Sequence, residues 1–121
     1  MRFMMMVRFD ENLGPEGGPS PELMEEMGKL IDEMTKAGVL LDTGGLRPTS
    51  EGTRVHWSHG KESVVDGPFT EAKEIIGGYA IIQAKSKEEA VEWAKRFVRI
   101  HGEEWTLTSE VRQIEEPDGQ V

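Results

Sequence analysis

The sequence predicts an α+β domain of the ferredoxin-like, split βαβ type with an inserted β-hairpin. Two segments have the apolar spacing of amphipathic helices, and the segments around them alternate in polarity as β-strands do. The predicted elements follow the order strand, helix, strand, hairpin, strand, helix, strand. Because the chain has 121 residues, we expect one domain over residues 1–116 and a frayed acidic tail over residues 117–121.

Two helices are predicted from their caps and their apolar spacing. Ser20 and Pro21 are typical of a helix start, because serine accepts a bond from a free backbone N–H and proline has no N–H to leave unpaired. The apolar residues that follow are Leu23, Met27, Leu30, Ile31 and Met34. Gly38 is typical of a helix end.

Ser86 and Glu89 form a capping box that predicts the second helix. Its apolar stripe consists of Ala90, Trp93, Ala94 and Phe97.

The strands are predicted from residues that alternate in polarity or form short apolar runs. They cover residues 2–9, 39–41, 53–58, 63–65, 79–84 and 107–114. The first strand is apolar on both faces at its middle, which indicates an interior strand. The third and fourth strands form a hairpin around a turn at His59 and Gly60. We expect the second strand to end at Gly44–Gly45 and one short helical turn over residues 70–74.

Composition excludes several classes of function. Fourteen Lys and Arg against 23 Asp and Glu give a net charge of −9, so we expect no direct binding to nucleic acid or to an anionic membrane. The chain has no cysteine, which excludes disulfides, thiolate nucleophiles and cysteine-based metal sites. The apolar opening segment is about half the length of a membrane span and lacks a cleavage site. We therefore expect no signal peptide and a cytoplasmic protein.

Two helices can cover only one face of the predicted sheet. The other face carries either Phe3, Met5 and Val7 or Met4 and Met6, and it would form a large exposed apolar patch. Packing against the same face of a second copy removes this patch from water. We therefore expect a symmetric homodimer.

The segment Asp66-Gly67-Pro68-Phe69-Thr70-Glu71-Ala72-Lys73-Glu74, here called the DGPF segment, is followed by Gly77-Gly78-Tyr79. Together they resemble the DGPF-type members of the YCII-related family. The similarity extends to the methionine-rich first strand and to residues 37–40, 44–46 and 90–94. The resemblance implies a dimeric α+β barrel, in which two sheets pack face to face, and a cleft near the DGPF segment. Some relatives occur beside or fused to extracytoplasmic-function sigma factors, which implies a regulatory role.

Another branch of the wider family carries a histidine on the first helix and an aspartate after a Trp-Ala pair on the second helix. That pair is suspected of acid–base chemistry. Here the first helix contains no histidine, and Trp93-Ala94 is followed by Lys95. We therefore do not expect the chemistry of that branch in this chain.

Three polar residues are candidates for acid–base chemistry: Asp66, Glu71 and His56. A carboxylate beside a Gly-Pro turn, with Glu71 and Lys73 close in sequence, could hold an acid–base pair in a cleft. Alternatively, Asp66 closes the turn through backbone bonds while Glu71 and Lys73 face water. His56 is either a general base near Asp66 or a solvated strand residue.

The candidate ligand-binding residues are Arg8, Asp66, Phe69, Lys73 and Tyr79. Arg8 either holds an anion in the cleft between two sheets or extends its charged group to water. Phe69 is either an anchor of its loop or a stacking partner for a ligand, and Tyr79 could offer its phenol to the cleft. His59 and His101 lack the spacing of a metal site, so we expect neither a metal nor another cofactor.

Three functions fit these residues. The first is a small-molecule binding protein with a regulatory role, the second is an enzyme of lyase, isomerase or monooxygenase type, and the third is an interaction module for a sigma-factor-type transcription regulator. We favour the first. An enzyme would require a buried carboxyl group with a raised pKa, and an interaction module would require an exposed patch beyond the dimer interface.

Overall fold

A computed structural model describes residues 1–117 of the chain. The helices and strands follow the predicted order, with one additional 3-10 turn over Thr49–Glu51. They are β1 (Arg2–Phe9), α1 (Pro21–Lys36), β2 (Leu40–Gly45), β3 (Thr53–Ser58), β4 (Lys61–Asp66), β5 (Ile75–Gln83), α2 (Lys87–Arg99) and β6 (Thr108–Gln113).

Four strands form one antiparallel sheet in the order β2-β5-β1-β6, and β3 pairs with β4 in a separate two-stranded sheet. Strand β1 is central: Phe3 pairs with Ile82 of β5 on one side and with Gln113 of β6 on the other. Two helices combined with antiparallel sheets in this order confirm the predicted ferredoxin-like α+β fold class.

Both helices pack on one face of the four-stranded sheet. Phe3 and Ile82 are fully buried in the core between them. The core also includes Met5 and Ala84 of the sheet region, Leu30 and Met34 of α1, and Ala90 and Ala94 of α2. Since successive residues of a strand point to opposite faces, Met4 and Met6 lie on the other face. We call this the open face; by the strand register it carries Met4, Met6, Arg8, Tyr79, Ile81, Glu110 and Arg112.

The predicted ends of α1 are confirmed. The Ser20 hydroxyl oxygen accepts a hydrogen bond from the Leu23 N–H at 3.1 Å. At the other end, Gly38 has a φ of 73°, a left-handed conformation that favours glycine. The Val39 N–H then donates to the Met34 carbonyl at 2.9 Å, which satisfies one of the free carbonyls of the last turn.

The start of α2 differs slightly from a complete capping box. The Ser86 hydroxyl accepts from the Glu89 N–H at 3.2 Å, as expected. The Glu89 carboxylate accepts from the Lys85 N–H at 3.2 Å, one residue before the position that a capping box uses. No helix within residues 1–117 is long and apolar enough to cross a membrane.

The β3–β4 hairpin forms as predicted and stands apart from the four-stranded sheet. His59 and Gly60 have φ values of 51° and 76°, and two successive positive values are what a type I′ turn requires. Val55, Trp57 and Val64 share one face of the hairpin and are 68%, 69% and 60% exposed. An isolated two-stranded hairpin is marginally stable in water, so any surface that covers this face stabilises the hairpin.

The prediction of a helical turn over residues 70–74 is wrong. This stretch contains a single β-turn, in which the Ala72 N–H donates to the Phe69 carbonyl at 3.1 Å. A helix needs several successive bonds of this kind to become favourable, and β5 begins at Ile75 before they can form.

The start of β5 also differs from the prediction, and two glycines explain the difference. β2 ends at Gly45, as predicted, whereas β5 begins at Ile75, before Gly77 and Gly78. The glycines remain in the strands because neighbouring groups occupy the space of their missing side chains. A Cβ atom on Gly77 would lie 2.2 Å from the Phe9 ring, and one on Gly78 would lie 3.0 Å from the Gly44 carbonyl oxygen.

The segment after β6 returns to the first strand. The Arg2 guanidinium donates two hydrogen bonds to the Glu116 carboxylate, at 2.6 and 2.8 Å. Of the acidic tail predicted over residues 117–121, all but residue 117 lies outside the described residues.

Candidate functional site

The DGPF segment begins at the base of the β3–β4 hairpin. Asp66 is the last residue of β4, and its carboxylate accepts a hydrogen bond from the Thr53 hydroxyl at 2.9 Å. The Gly67 N–H donates to the Gly52 carbonyl at 2.8 Å. A Cβ atom on Gly67 would lie 1.7 Å from the Thr49 carbonyl oxygen, so only glycine fits there. These contacts join the hairpin to the 3-10 turn before it.

Phe69 lies against the start of β3. The Arg54 guanidinium stacks over the Phe69 ring at 3.9 Å from its centroid and pairs with the Glu71 carboxylate at 3.0 Å. All three residues are at least partly exposed, so the ion pair contributes little and the stacking contributes about 0.5–1 kcal/mol. Phe69 therefore anchors its own loop and holds Arg54 in place.

A polar groove of about 660 Å³ lies between the open face and the DGPF segment. We call it the DGPF-side groove; its lining includes Met6, Arg8, Arg54, Phe69, Glu74, Glu110 and Arg112. Arg8 pairs with Glu110 at 2.7 Å and with Glu74 at 3.3 Å. An anion would have to displace a carboxylate to bind Arg8, because two acidic groups already share its charge.

The remaining candidate residues are dispersed. His56 is exposed on β3 opposite Ser63, and Lys73 is exposed before β5. Tyr79 lies opposite Met6 on the open face, with its hydroxyl 3.4 Å from the Asp42 carboxylate.

Among the predicted site residues, Arg8 and Phe69 border the same groove. Glu71 is linked to the groove through Arg54. Asp66 and His56 do not line it. The three candidates for acid–base chemistry therefore do not converge on one enclosed space.

A second cavity, of about 720 Å³, lies between α1 and the helix-covered face of the sheet. We call it the apolar cavity. Its walls include Met5, Val7 and Phe9 of β1, Leu23, Met27 and Ile31 of α1, and Phe97, His101, Trp105 and Leu107 of the region around the end of α2. Residues of the loop 11–19 lie at its mouth, where Leu13 and Met24 are 66% and 59% exposed. The cavity is thus formed within one chain and is lined mostly by carbon.

Glycines border the sheet side of the apolar cavity. Gly45 and Gly78 pair with each other across β2 and β5, on the same face as Val7. A Cβ atom on Gly45 would meet no other atom within 4 Å. Because these glycines have no side chains, part of the cavity lies directly against the strand backbone.

The family model described as the YCII-related domain matches residues 1–102 of this chain. The chain belongs to the YCII-related family. An uncharacterised protein of Rhizobium meliloti (strain 1021) is 32% identical over 73 residues, which span 60% of this chain and 59% of that protein. Membership of the YCII-related family confirms the resemblance seen in the DGPF segment, but it does not by itself define a function.

Among the described residues of this YCII-related protein, the carboxyl groups with shifted pKa values belong to ion pairs with arginines. Hydrogen bonds from Arg96 lower the pKa of Glu33, and those from Arg2 lower the pKa of Glu116. Neither carboxyl lines the cavity or the groove, and both shifts are opposite to the raised pKa that a buried general acid requires. Within residues 1–117, no three His, Asp or Glu side chains lie close enough together to hold a metal ion.

Sequence reasoning missed the apolar cavity of the YCII-related fold. Met27, which was assigned to the apolar stripe of the first helix, lines the cavity, and Met24 lies at its mouth. One signal was available: Phe97, His101 and Trp105 recur every four residues and form a continuous aromatic row. The cavity itself depends on a gap between α1 and the sheet, which no local pattern in the sequence records.

Proposed function

We propose that this YCII-related protein is a small homodimer that binds an apolar small molecule in the apolar cavity. The observation that carries this proposal is the cavity of about 720 Å³ between α1 and the sheet. Cavities of this size, lined mainly by apolar side chains with a few polar groups, are typical small-molecule sites. The cavity is complete in one chain, so each subunit would bind its own ligand.

The apolar cavity supports ligand binding better than the DGPF-side groove does. In the groove, Arg8 is already paired with Glu74 and Glu110, so a ligand would gain little from it. The DGPF segment itself uses Asp66 and Gly67 in contacts to the hairpin base. A ligand that is buried against the carbon-lined walls of the cavity does not have to break an existing ion pair or hydrogen bond.

Binding is favoured over catalysis by the positions of the acid–base candidates. Asp66, Glu71 and His56 are exposed, and none of them lines the apolar cavity. An apolar ligand in the cavity would therefore not reach the groups that could move its protons. A catalytic role would have to use a different set of residues.

A thermal-shift screen with a library of apolar metabolites tests the binding proposal. A ligand at about 100 times its Kd adds about 2.7 kcal/mol to the free energy of unfolding, which raises the Tm of a domain of this size by roughly 10 °C. Gly45→Leu places a side chain into open space on the cavity side of β2 and should abolish the shift. Gly28→Leu adds the same side chain to an exposed position of α1 and should leave the shift intact.

Two outcomes would contradict the binding proposal. One is that no apolar compound raises the Tm of the wild-type protein. The other is that a compound raises the Tm of the Gly45→Leu variant as much as that of the wild type, because its binding site would then lie outside the cavity.

The open face of the sheet supports the dimer. It presents Met4, Met6 and Ile81, and the neighbouring hairpin exposes Trp57. The same face carries both positive and negative side chains, Arg8, Arg112 and Glu110. Two copies related by a two-fold axis can therefore bury their apolar residues while opposite charges meet, which favours a second copy over another occupant.

Analytical ultracentrifugation tests the dimer. We expect the wild-type protein to sediment as a dimer and the Met6→Glu variant as a folded monomer. In a dimer of this variant, each subunit would bury a new carboxylate in the interface. Leu13→Ser is the control. It removes an apolar side chain that is 66% exposed at the cavity mouth and not on the open face, so this variant should remain dimeric. A monomeric wild type, or a Met6→Glu variant that stays dimeric, would refute this arrangement.

A further inference from the structure

His101 is the polar group of the apolar cavity that is best placed to bind a ligand. Besides His101, the side chains on the cavity lining that can form hydrogen bonds belong to Glu11, Asn12, Thr43, Tyr79 and Trp105, and the indole N–H of Trp105 can only donate. Glu11 accepts hydrogen bonds from the backbone N–H and the hydroxyl of Thr49. Thr43 donates its hydroxyl to the Tyr79 carbonyl at 2.9 Å. Asn12 is exposed in the loop at the mouth, and the Tyr79 side chain lies on the open face.

The hydrogen bond of His101 defines the chemistry of its free nitrogen. Its Nδ1 lies 2.9 Å from the Phe97 carbonyl oxygen, and a carbonyl oxygen can only accept. Nδ1 therefore carries the proton, and in the neutral imidazole Nε2 is an acceptor. No other residue of the described chain is hydrogen-bonded to Nε2, so this acceptor is available to a ligand.

Two aromatic side chains hold the imidazole in place. The ring centroids of His101 and Phe97 are 4.9 Å apart, and those of His101 and Trp105 are 5.8 Å apart, both with edge-to-face geometry. A ring fixed in this way presents its acceptor at little further cost in side-chain entropy when a ligand binds. The same aromatic groups offer surfaces on which a flat ligand can pack.

We propose that the ligand is a neutral hydroxylated aromatic compound whose hydroxyl donates a hydrogen bond to Nε2 of His101. This inference rests on the proposed function, since it requires that the apolar cavity binds a ligand. The cavity lining includes no lysine or arginine from residues 1–117, and Glu11 adds a negative charge near the mouth. A carboxylate or phosphate would therefore lack a cationic partner there, whereas a phenolic hydroxyl needs only an acceptor.

Two probes of similar shape, of which only one has a hydroxyl donor, test this inference. Binding of 2-naphthol and of 2-methoxynaphthalene to the full chain is measured by isothermal titration calorimetry at pH 7.5. Both fit the apolar walls, but only 2-naphthol donates a hydrogen bond, so we expect it to bind about three- to tenfold more tightly to the wild-type protein. His101→Phe keeps an aromatic ring and removes the acceptor, and should abolish the preference for 2-naphthol. His101→Gln places an amide oxygen near the position of Nε2 and should restore part of the preference.

The outcomes separate this inference from the proposed function. If neither probe binds the wild-type protein while another apolar compound raises its Tm, only this inference is overturned; if no apolar compound raises the Tm, the proposed function is overturned as well. If both probes bind with equal affinity, the cavity remains a binding site and the role of His101 is refuted. If the preference for 2-naphthol persists in His101→Phe, another group accepts the hydroxyl and the inference is wrong. Thr43→Val, on the same cavity lining, is the matched control and should keep the wild-type preference.

Discussion

The substitution Gly67→Ala should destabilise the protein, because no side chain fits at this position of the DGPF segment. The added Cβ atom would lie 1.7 Å from the Thr49 carbonyl oxygen, and real Cβ contacts are longer than 3.0 Å. The two backbones must therefore separate. This movement also breaks the hydrogen bond from the Gly67 N–H to the Gly52 carbonyl, which is 2.8 Å long.

The expected loss combines two effects. Forced overpacking costs about 1–3 kcal/mol, and the broken hydrogen bond costs about 1 kcal/mol more. We therefore expect the free energy of unfolding to fall by about 2–4 kcal/mol and the Tm to fall by roughly 8–16 °C. Urea unfolding followed by circular dichroism measures the first quantity, and a thermal scan measures the second.

Gly45→Ala is the matched control for Gly67→Ala. Its Cβ atom meets nothing within 4 Å, so we expect a change of less than about 0.5 kcal/mol. If Gly67→Ala were as stable as this control, the packing explanation of the glycine in the DGPF segment would be refuted. Below its Tm, folded Gly67→Ala should still bind an apolar ligand as the wild type does, because Gly67 lies outside the cavity.

Three further predictions follow from other contacts. Ile82→Val should lower the free energy of unfolding by about 1 kcal/mol, since Ile82 is fully buried; an unchanged urea midpoint would contradict its place in the core. Because Arg96 lowers the pKa of Glu33 below its usual 4.5 on folding, the pair stabilises the protein above that pH. The stability difference between the wild type and Glu33→Gln should therefore shrink as the pH falls below 4.5, and a difference independent of pH would contradict the pairing. A double-mutant cycle of Arg54→Ala and Phe69→Ala should give a coupling energy of about 0.5–1 kcal/mol, and a coupling near zero would refute the stacking.

The fold was predictable because its signals are local. Ser20 and Gly38 mark the ends of α1 through backbone bonds within one turn, and His59–Gly60 sets the hairpin turn through its own φ angles. The helical turn predicted over residues 70–74 does not form, because β5 begins directly after this segment and its start is determined by strand pairing. The extent of β5 depends on pairing with β1 and β2, where Gly77 accommodates the Phe9 ring from a distant part of the chain.

The candidate site was less predictable because it depends on non-local contacts. The sequence identified Arg8 as a possible anion site, but its acidic partner Glu110 comes from the last strand of the sheet. His101 was considered only as a metal ligand. Its tautomer and its position on the cavity depend on the packing of Phe97 and Trp105, which the sequence does not record.

The central position of β1 has a consequence for biosynthesis. This strand is synthesised before β5 and β6, the two strands with which it pairs. Until they are made, an apolar run without proline or acidic residues is free to pair with other chains, which is a typical route to aggregation. Arg2 and Arg8 flank this run as charged residues that oppose such pairing. When β6 arrives, Glu110 and Glu116 neutralise the same two arginines, so the residues that keep the nascent strand soluble also stabilise the finished sheet.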